Sequence, residues 1–344
     1  MTREALATLL HPFEADVLET PGDDARVLFL GAEPGFVLPD GFGGKLTLVQ
    51  GFRPHFSALV KAGHDVSQTV SGECFTAALV LCGRHRGLNE LRVADALERT
   101  GPGALIVVAG GKEDGVASLR KRLSGSFAVE GSLSKYHGVA LWLRRPADPQ
   151  PAIEALRAEN GSVLVEGRFT AAPGMFSHDR VDAGSKLLAQ HLPAELAGKV
   201  ADFCAGWGYL AVEVAERCRK VKSLDLYEAD FASLEAARAN LGAALAGSPA
   251  APTAGFYWHD LVVEPVAERY DAIVMNPPFH TGRAAEPGLG QALIGAAARA
   301  LKPGGQLLVV ANRQLPYEAS LSGAFSAVQK LAEDQGFKVL RAKR

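Results

Sequence analysis

The sequence contains few of the residues that would suggest a disulfide framework or a metal centre. Its four cysteines are widely separated, and none belongs to a Cys-x-x-Cys pair or a group of histidines: Cys74, Cys82, Cys204 and Cys218. This spacing favours free thiols in a reducing compartment and predicts neither structural zinc nor another bound metal.

Long apolar runs and a strong net charge are also missing. No apolar stretch approaches the length that crosses a bilayer, and the first residues, Met1–Ala5, do not resemble a signal peptide. The formal net charge is −2, so a nucleic-acid partner would have to contact local basic patches. We therefore expect a cytoplasmic protein, monomeric or weakly oligomeric, with no membrane partner.

What the chain does contain is enough apolar material for two domains. It has 344 residues, of which 48% are hydrophobic. A segment with three closely spaced prolines, Arg145–Pro151, predicts a linker between residues 1–148 and residues 152–344. On both sides of it, short apolar runs alternate with helical segments, which is typical of a parallel sheet covered by helices.

The predicted strands occur in a similar order in the two halves. In the first half they are Ala25–Gly31, Lys45–Val49, Phe75–Leu81, Ala104–Ala109 and Val139–Leu143. In the second half they are Val200–Cys204, Val221–Tyr227, Gly255–Trp258, Ala272–Met275 and Gln306–Ala311, followed by Ser326–Ala332 and Phe337–Ala342. The short connection between the last two predicts an antiparallel pair. We therefore predict an α/β protein with a doubly wound sheet, and the repeated order suggests a duplicated domain.

A glycine-containing turn follows the first strand of the second half. Asp202–Gly208 lies between that strand and a helix, where glycines allow a ligand to approach the backbone. Ligands of open α/β sheets bind at this edge. The full dinucleotide pattern G-x-G-x-x-G is missing. The P-loop Gly-Lys-Ser/Thr is missing too, and its absence disfavours nucleoside triphosphates.

Acidic residues end the next two strands. Glu228 lies 20 positions after Gly208, a spacing typical of a carboxylate that accepts hydrogen bonds from ribose hydroxyls. The alternative is a charge at a helix N-terminus. Asp260 ends the third strand and could accept an adenine amino group, with a strand-end turn as the alternative. Asp230 is the expected helix cap.

The segment Asn276-Pro277-Pro278-Phe279 leaves the carboxyl end of the fourth strand. A conjugated exocyclic amine is a poor nucleophile because its lone pair is delocalised. Two acceptors, the Asn276 side-chain oxygen and the Pro277 carbonyl, would favour a pyramidal nitrogen and aim its lone pair at a methyl donor. Phe279 offers an apolar face on which a planar base can stack.

These motifs, in this order, resemble the class I S-adenosylmethionine-dependent methyltransferases of the small-domain type. Further stretches resemble the ribosomal RNA guanine-N2 methyltransferases built from two tandem methyltransferase-like domains: Phe176–Leu188, Phe279–Gly282, Leu307–Asn312, Leu315–Tyr317 and Phe337–Ala342. In the first half the resemblance is limited to Gly110–Val116 and the two-domain plan. The sequence departs from the family pattern at Cys204, at Glu228, which replaces the frequent aspartate, and at Trp207, which could reshape the methionine end of the pocket.

The resemblance implies two tandem Rossmann-like domains, the second with a seven-stranded, mostly parallel sheet whose last strand is reversed. It implies S-adenosylmethionine as cofactor, bound by Asp202, Cys204, Ala205, Gly206, Gly208, Glu228, Ala229, Asp260 and Asn276. The catalytic residues would be Asn276, Pro277, Pro278 and Phe279. Ribosomal RNA of the small subunit would be the substrate, contacted by Phe279, His280, Arg283, Arg84 and Arg86.

The first half retains the order of strands but lacks the catalytic motif. Cys82-Gly83-Arg84-His85-Arg86 follows its strand Phe75–Leu81, where the second half has Asn-Pro-Pro-Phe. We therefore expect residues 1–148 to be a degenerate methyltransferase-like domain that positions the substrate. Two alternatives for the whole chain are methylation of another amino group, such as adenine N6 or a protein glutamine amide, and non-catalytic RNA binding.

Overall fold

The computed structural model describes residues 4–248, 251–278, 280–281, 284–285 and 287–344. The chain forms two compact units, Met1–Ser162 with Ala172–Gly174, and Val163–Ala171 with Met175–Arg344. Each has a seven-stranded sheet covered by helices. Within the described part of the chain, no helix has the length and apolar character needed to cross a bilayer.

The first unit is built on a mixed sheet. Its strands are β1 (Arg26–Leu30), β2 (Lys45–Val49), β3 (Val66–Ser67), β4 (Phe75–Leu81), β5 (Thr100–Gly111), β6 (Val129–Lys135) and β7 (Gly138–Arg144), in the order β3-β2-β1-β4-β5-β7-β6. Its helices are α1 (Glu4–Glu14), α2 (Arg53–Lys61), α3 (Arg86–Arg99), α4 (Val116–Leu123) and α5 (Gln150–Glu159). Strand β7 runs antiparallel to both of its neighbours, whereas β1 to β5 are parallel.

The second unit has the same sheet order. Its strands are β8 (Val163–Val165), β9 (Phe169–Ala171), β10 (Ala197–Phe203), β11 (Lys220–Glu228), β12 (Thr253–Trp258), β13 (Tyr270–Met275), β14 (His280–Thr281), β15 (Ala284–Ala285), β16 (Leu301–Asn312), β17 (Ala327–Asp334) and β18 (Phe337–Lys343). Its helices are α6 (Ala183–Gln190), α7 (Tyr209–Arg217), α8 (Phe231–Leu245), α9 (Pro287–Ala300) and α10 (Tyr317–Ala324). The main sheet is β12-β11-β10-β13-β16-β18-β17, and β8–β9 and β14–β15 form small hairpins.

Side chains of the central strands point alternately into two separate apolar layers, one on each face of the second sheet. Val200 faces the layer that contains α7 and α8, whereas Ala201 and Phe203 face the layer that contains α9 and α10. The centre of a parallel sheet is buried on both faces, which is why its strands read as continuous apolar runs. Two apolar layers flank the sheet of the first unit in the same way.

The predicted fold class is confirmed. Both sheets are mostly parallel, the last strand of the second, β18, runs antiparallel to β16, and the predicted antiparallel pair at the end of the chain is β17–β18. The edge strand β6 was not predicted. It contains Gly131 and polar residues, pairs along one side with β7 and has no buried residue, so it lacks an apolar pattern.

The proline-rich segment has a different role from the one that the sequence suggested. Pro149 and Pro151 lie at the start of α5, where a missing backbone N–H costs little. Ile153 and Leu156 of this helix are buried in an apolar layer of the first unit with Val93 and Leu97 of α3. The boundary between the compact units therefore falls after Ser162 rather than at residues 148–152.

Candidate active site

Four parallel strands bring the predicted motifs to one edge of the second sheet. Phe203, the last residue of β10, pairs with Tyr227 of β11 and with Met275 of β13. Glu228 pairs with Trp258 of β12. The glycine turn, the two acidic residues and the Asn-Pro-Pro segment therefore all leave the sheet at its carboxyl edge, where the strand order reverses on either side of β10.

The glycine turn has a left-handed backbone at three positions. Gly206 and Gly208 have φ values of +53° and +89°, and a Cβ at Gly208 would lie 2.9 Å from the Ala237 Cα. Gly208 is thus required both by its conformation and by the close approach of α8. Cys204 also has a positive φ, +60°, although it has a side chain. At the position where the family commonly has glycine, the chain therefore accepts backbone strain.

Glu228 is held against the glycine turn. Its Oε2 accepts a hydrogen bond from the Gly206 backbone N–H at 2.8 Å, and its Oε1 accepts one from the Asp230 N–H at 2.9 Å. Burial raises the pKa of the Glu228 carboxyl to about 6, although these backbone hydrogen bonds act in the opposite direction. The carboxylate is therefore fixed in orientation beside the turn and is ionised at neutral pH.

The other two predicted acids differ in their surroundings. Asp202 is fully buried, and neither carboxyl oxygen has a hydrogen-bond partner among the described residues. Burial, and then the charge of Glu228, raise its pKa well above the usual range. Asp260 is also buried, and its Oδ1 accepts a hydrogen bond from the Val262 N–H at 2.9 Å. Asp202 thus lies in β10 directly before the glycine turn, whereas Asp260 stabilises the turn that follows β12.

Trp207 connects the glycine turn to the segment that precedes α6. Its indole is buried against Phe169 and Tyr209, with ring centroids 5.3 Å and 6.0 Å away. Its Nε1–H donates to the backbone carbonyl of Phe176 at 2.9 Å, while Phe176 as a residue is 61% exposed. The bulky residue between the two glycines therefore anchors this segment instead of projecting freely into the cleft.

Asn276 has an unusual distribution of hydrogen bonds. Its side-chain Nδ2 donates to Asp182 Oδ2 at 3.0 Å and to Ser185 Oγ at 2.7 Å. Its Oδ1 is buried and accepts no hydrogen bond from any residue that the structure describes. Both amide hydrogens are thus committed to the first turn of α6, and the oxygen remains available as an acceptor.

Asn276 and residues of the glycine turn line one open cleft. Its walls come from the glycine turn, from the start of α7, from the segment before α6 and from Asn276: Phe176, Ser177, Asp182, Ser185, Cys204, Ala205, Gly206, Trp207, Tyr209, Leu210 and Asn276. Burial is the main cause that raises the pKa of the Cys204 thiol well above its usual range. The negative charges of Glu228 and Asp202 raise it further. Cys204 is therefore a neutral part of the wall.

Some predicted site residues lie elsewhere or outside the described residues. Phe279 and Arg283 are outside them, and of His280 only the backbone, in β14, is described. Arg84 and Arg86 belong to the first unit. Arg84 is exposed and 3.4 Å from Glu113, whereas Arg86 donates at 2.8 Å to the buried Glu90. Arg86 therefore also has a structural role.

The sequence did not indicate individual roles for Asp182 and Ser185. Asp182 is the N-cap of α6, and its Oδ2 accepts from the Ser185 N–H at 2.8 Å. An Asp followed by a short helical pattern is a recognisable capping signal. The contact between Asp182 and a loop 94 positions further along the chain has no such signal in the sequence.

Comparisons with known proteins agree with this geometry. The family model for the methyltransferase small domain matches residues 166–341. The ribosomal RNA small subunit methyltransferase C of Klebsiella pneumoniae is 35% identical over 240 residues, which cover 70% of this chain and 67% of that protein. The Escherichia coli protein of the same name is 34% identical over 241 residues, with the same coverage of the two chains.

A solved structure agrees with the fold. The 16S rRNA N2 methyltransferase of T. thermophilus, in complex with AdoMet and guanosine, superimposes with a TM-score of 0.77 at 24% identity. The match covers 97% of this chain and 91% of that one. The family model and the relatives confirm the resemblance inferred from the motifs: the chain belongs to the methyltransferase small domain family, alongside the ribosomal RNA small subunit methyltransferase C proteins.

Proposed function

We propose that the protein transfers a methyl group from S-adenosylmethionine to the exocyclic N2 of a guanine in small-subunit ribosomal RNA. The observation that carries this proposal is the buried Asn276 Oδ1, which has no hydrogen-bond partner among the residues that the structure describes and lies in a cleft with the glycine turn. The relatives named above are ribosomal RNA small subunit methyltransferases, and the solved T. thermophilus protein contains AdoMet and guanosine. We also propose that the protein acts in the cytoplasm as a monomer or weak oligomer.

The residues at the sheet edge fit the cofactor. Gly206 has open space where a Cβ would lie, so the ligand can approach the backbone of the turn. Glu228 would accept hydrogen bonds from the ribose hydroxyls, and Asp260 would accept one from the adenine amino group. When bound, S-adenosylmethionine supplies a methyl group attached to a positively charged sulfur.

The polar groups of the catalytic loop suit an amino substrate. The Asn276 oxygen and the Pro277 carbonyl would accept the two hydrogens of the amine, which favours a pyramidal nitrogen with its lone pair free. Both prolines fix their φ angles, so the loop holds these acceptors before the substrate arrives. A guanine would have to leave its base stack to enter the cleft, and Phe279 would provide a stacking face.

Transfer of tritium from labelled S-adenosylmethionine tests this function. We expect label in ribosomal RNA of the small subunit, and N2-methylguanosine after digestion to nucleosides. Small subunits and their purified RNA, from cells that lack the enzyme, should be compared as substrates. Label in DNA, in protein, or in N6-methyladenosine would contradict the proposed substrate. The absence of transfer to all fractions, with intact cofactor binding, would favour a non-catalytic protein.

We further propose that the first unit positions the RNA. Its exposed Arg84 is one candidate for phosphate contact. Strand β4 has the same place in the first sheet as β13 has in the second. The turn after β4 has the sequence Cys82–Arg86, so the first unit lacks the Asn-Pro-Pro-Phe motif there.

A protein that comprises residues 163–344 separates cofactor binding from RNA recognition. This start leaves α5 with the first unit, where its apolar side chains are buried. We expect S-adenosylmethionine to bind with affinity close to that of the full chain, whereas RNA methylation should fall about tenfold or more for lack of the phosphate contacts. Calorimetry with the cofactor serves as the folding control. Full activity of this fragment on the natural RNA would contradict the proposed role.

A further inference from the structure

One carboxylate oxygen serves both a helix and the catalytic loop. Asp182 Oδ2 accepts the Ser185 backbone N–H at 2.8 Å, which caps α6, and it accepts Asn276 Nδ2 at 3.0 Å. The Ser185 hydroxyl, in the same helical turn, accepts the other amide hydrogen at 2.7 Å. The first turn of α6 therefore presents two acceptors, side by side, to the nitrogen of one amide.

This arrangement determines which way the Asn276 amide faces. If the amide were turned by 180°, its oxygen would lie about 3 Å from the Asp182 carboxylate oxygen, with no hydrogen between them. The contact would be repulsive, and the Nδ2 donors would lose their acceptors. The carboxylate thus selects the orientation in which Oδ1 points away from α6, where it is buried and unpartnered among the described residues.

We propose that Asp182 and Ser185 are positioning residues, which hold the Asn276 amide with its oxygen directed at the substrate amine. The inference rests on the proposed function, because it assigns them an effect on methyl transfer. An oxygen in this place accepts hydrogens and suits an amino group. The opposite orientation would present donors and would suit a carbonyl oxygen. The helix cap therefore contributes to the choice of nucleophile.

Substitutions can separate this role from capping. Asp182→Asn keeps an oxygen for the Ser185 N–H, and that oxygen also meets Asn276 Nδ2, so we expect kcat within about threefold of wild type. Asp182→Ser keeps a good capping residue but has a shorter side chain, and should lower kcat about five- to tenfold. Ser185→Ala removes the second acceptor, leaves the backbone cap, and should have an effect of similar size. Both residues line the cleft, so for Asp182→Ser and Ser185→Ala we expect kcat to fall by a larger factor than the affinity for S-adenosylmethionine. For all three variants we expect a nearly unchanged Tm.

A double-mutant cycle with Asn276→Ala is decisive. If Asp182 and Ser185 act through Asn276, then Asp182→Ser and Ser185→Ala should cause no further loss of kcat in the Asn276→Ala background. A purely structural role would lower kcat equally in both backgrounds and would overturn the inference. Wild-type kcat for both single variants would also overturn it. Failure of the proposed function would instead appear as a wild-type protein that does not methylate guanine.

Discussion

Replacing Asn276 with alanine should lower kcat by a factor on the order of a hundred or more, with little change in the Kd for S-adenosylmethionine. The reason lies in when the interaction forms. In the proposed mechanism, the Asn276 oxygen acts on the amine as the nitrogen becomes pyramidal, which occurs mainly in the transition state. Removing such an interaction reduces turnover more than ground-state binding. Single-turnover tritium transfer, with calorimetry for the cofactor, measures the two quantities separately.

Asn276→Asp is the sharper variant, because it keeps the size of the side chain and an acceptor oxygen. The new carboxylate would replace the Nδ2 that lies 3.0 Å from Asp182 Oδ2 and 2.7 Å from Ser185 Oγ. Two carboxylates at this distance repel each other, so the side chain should leave its position. We expect a kcat as low as that of Asn276→Ala. Activity well above the alanine variant would mean that acceptance of the amine hydrogens is sufficient.

Asn312 provides a matched control at the end of the neighbouring strand β16. Its Oδ1 accepts from the Gln314 N–H at 3.1 Å, a local turn contact. Asn312→Ala removes the same number of atoms from a strand end and should keep kcat near wild type. Turnover at the wild-type level in Asn276→Ala would refute the proposed mechanism, whichever amino group is methylated.

Replacing Glu228 with alanine should weaken S-adenosylmethionine binding by about 2–3 kcal/mol, the scale of paired charge-assisted hydrogen bonds. This is a rise in Kd of roughly 30- to 150-fold. Calorimetry measures the change, and circular dichroism checks the fold. Asp225→Asn offers a comparison, because Asp225 is a buried acid of the same strand. Its carboxylate accepts a hydrogen bond from the Tyr270 hydroxyl rather than from the glycine turn. An unchanged Kd in Glu228→Ala would remove this residue from the cofactor site.

The pKa of Glu228 predicts how binding depends on pH. Burial raises this pKa to about 6, and the ionised carboxylate is the better acceptor for hydroxyl groups. Affinity should therefore be highest above pH 6 and should fall as the pH drops through that value. Glu228→Gln lacks this titration and should show a flatter profile between pH 5 and 7, with a higher Kd at neutral pH. A wild-type profile that is equally flat would contradict the assignment.

The sequence predicted the positions of those candidate residues that depend on local patterns. Glu228 and Asn276 could be placed because each follows an apolar strand, and parallel strands of one sheet end at a common edge. The partners of Asn276 could not, because Asp182 and Ser185 lie 94 and 91 positions earlier and meet it only through tertiary packing. The direction of the Trp207 ring depends on Phe169 in the same way.

The domain boundary shows a second limit of pattern-based prediction. A cluster of prolines disfavours a continuing helix or central strand, which suggested a linker. The same residues are well accommodated in the first turn of a helix, and α5 begins there. This helix belongs to the first unit because Ile153 and Leu156 pack against residues of α3. Those residues are distant in sequence, so the local pattern could not show the contact.

The position of β18 in its sheet affects the order in which the chain can fold. Strand β17 is synthesised before β18 but joins the sheet only through it, because β18 lies between β16 and β17. The two strands are connected by a tight turn at Gln335 and Gly336, with φ values of +47° and +83°. They can form a hairpin locally, within microseconds, before docking on β16. The sheet is therefore complete only after this hairpin has docked on β16.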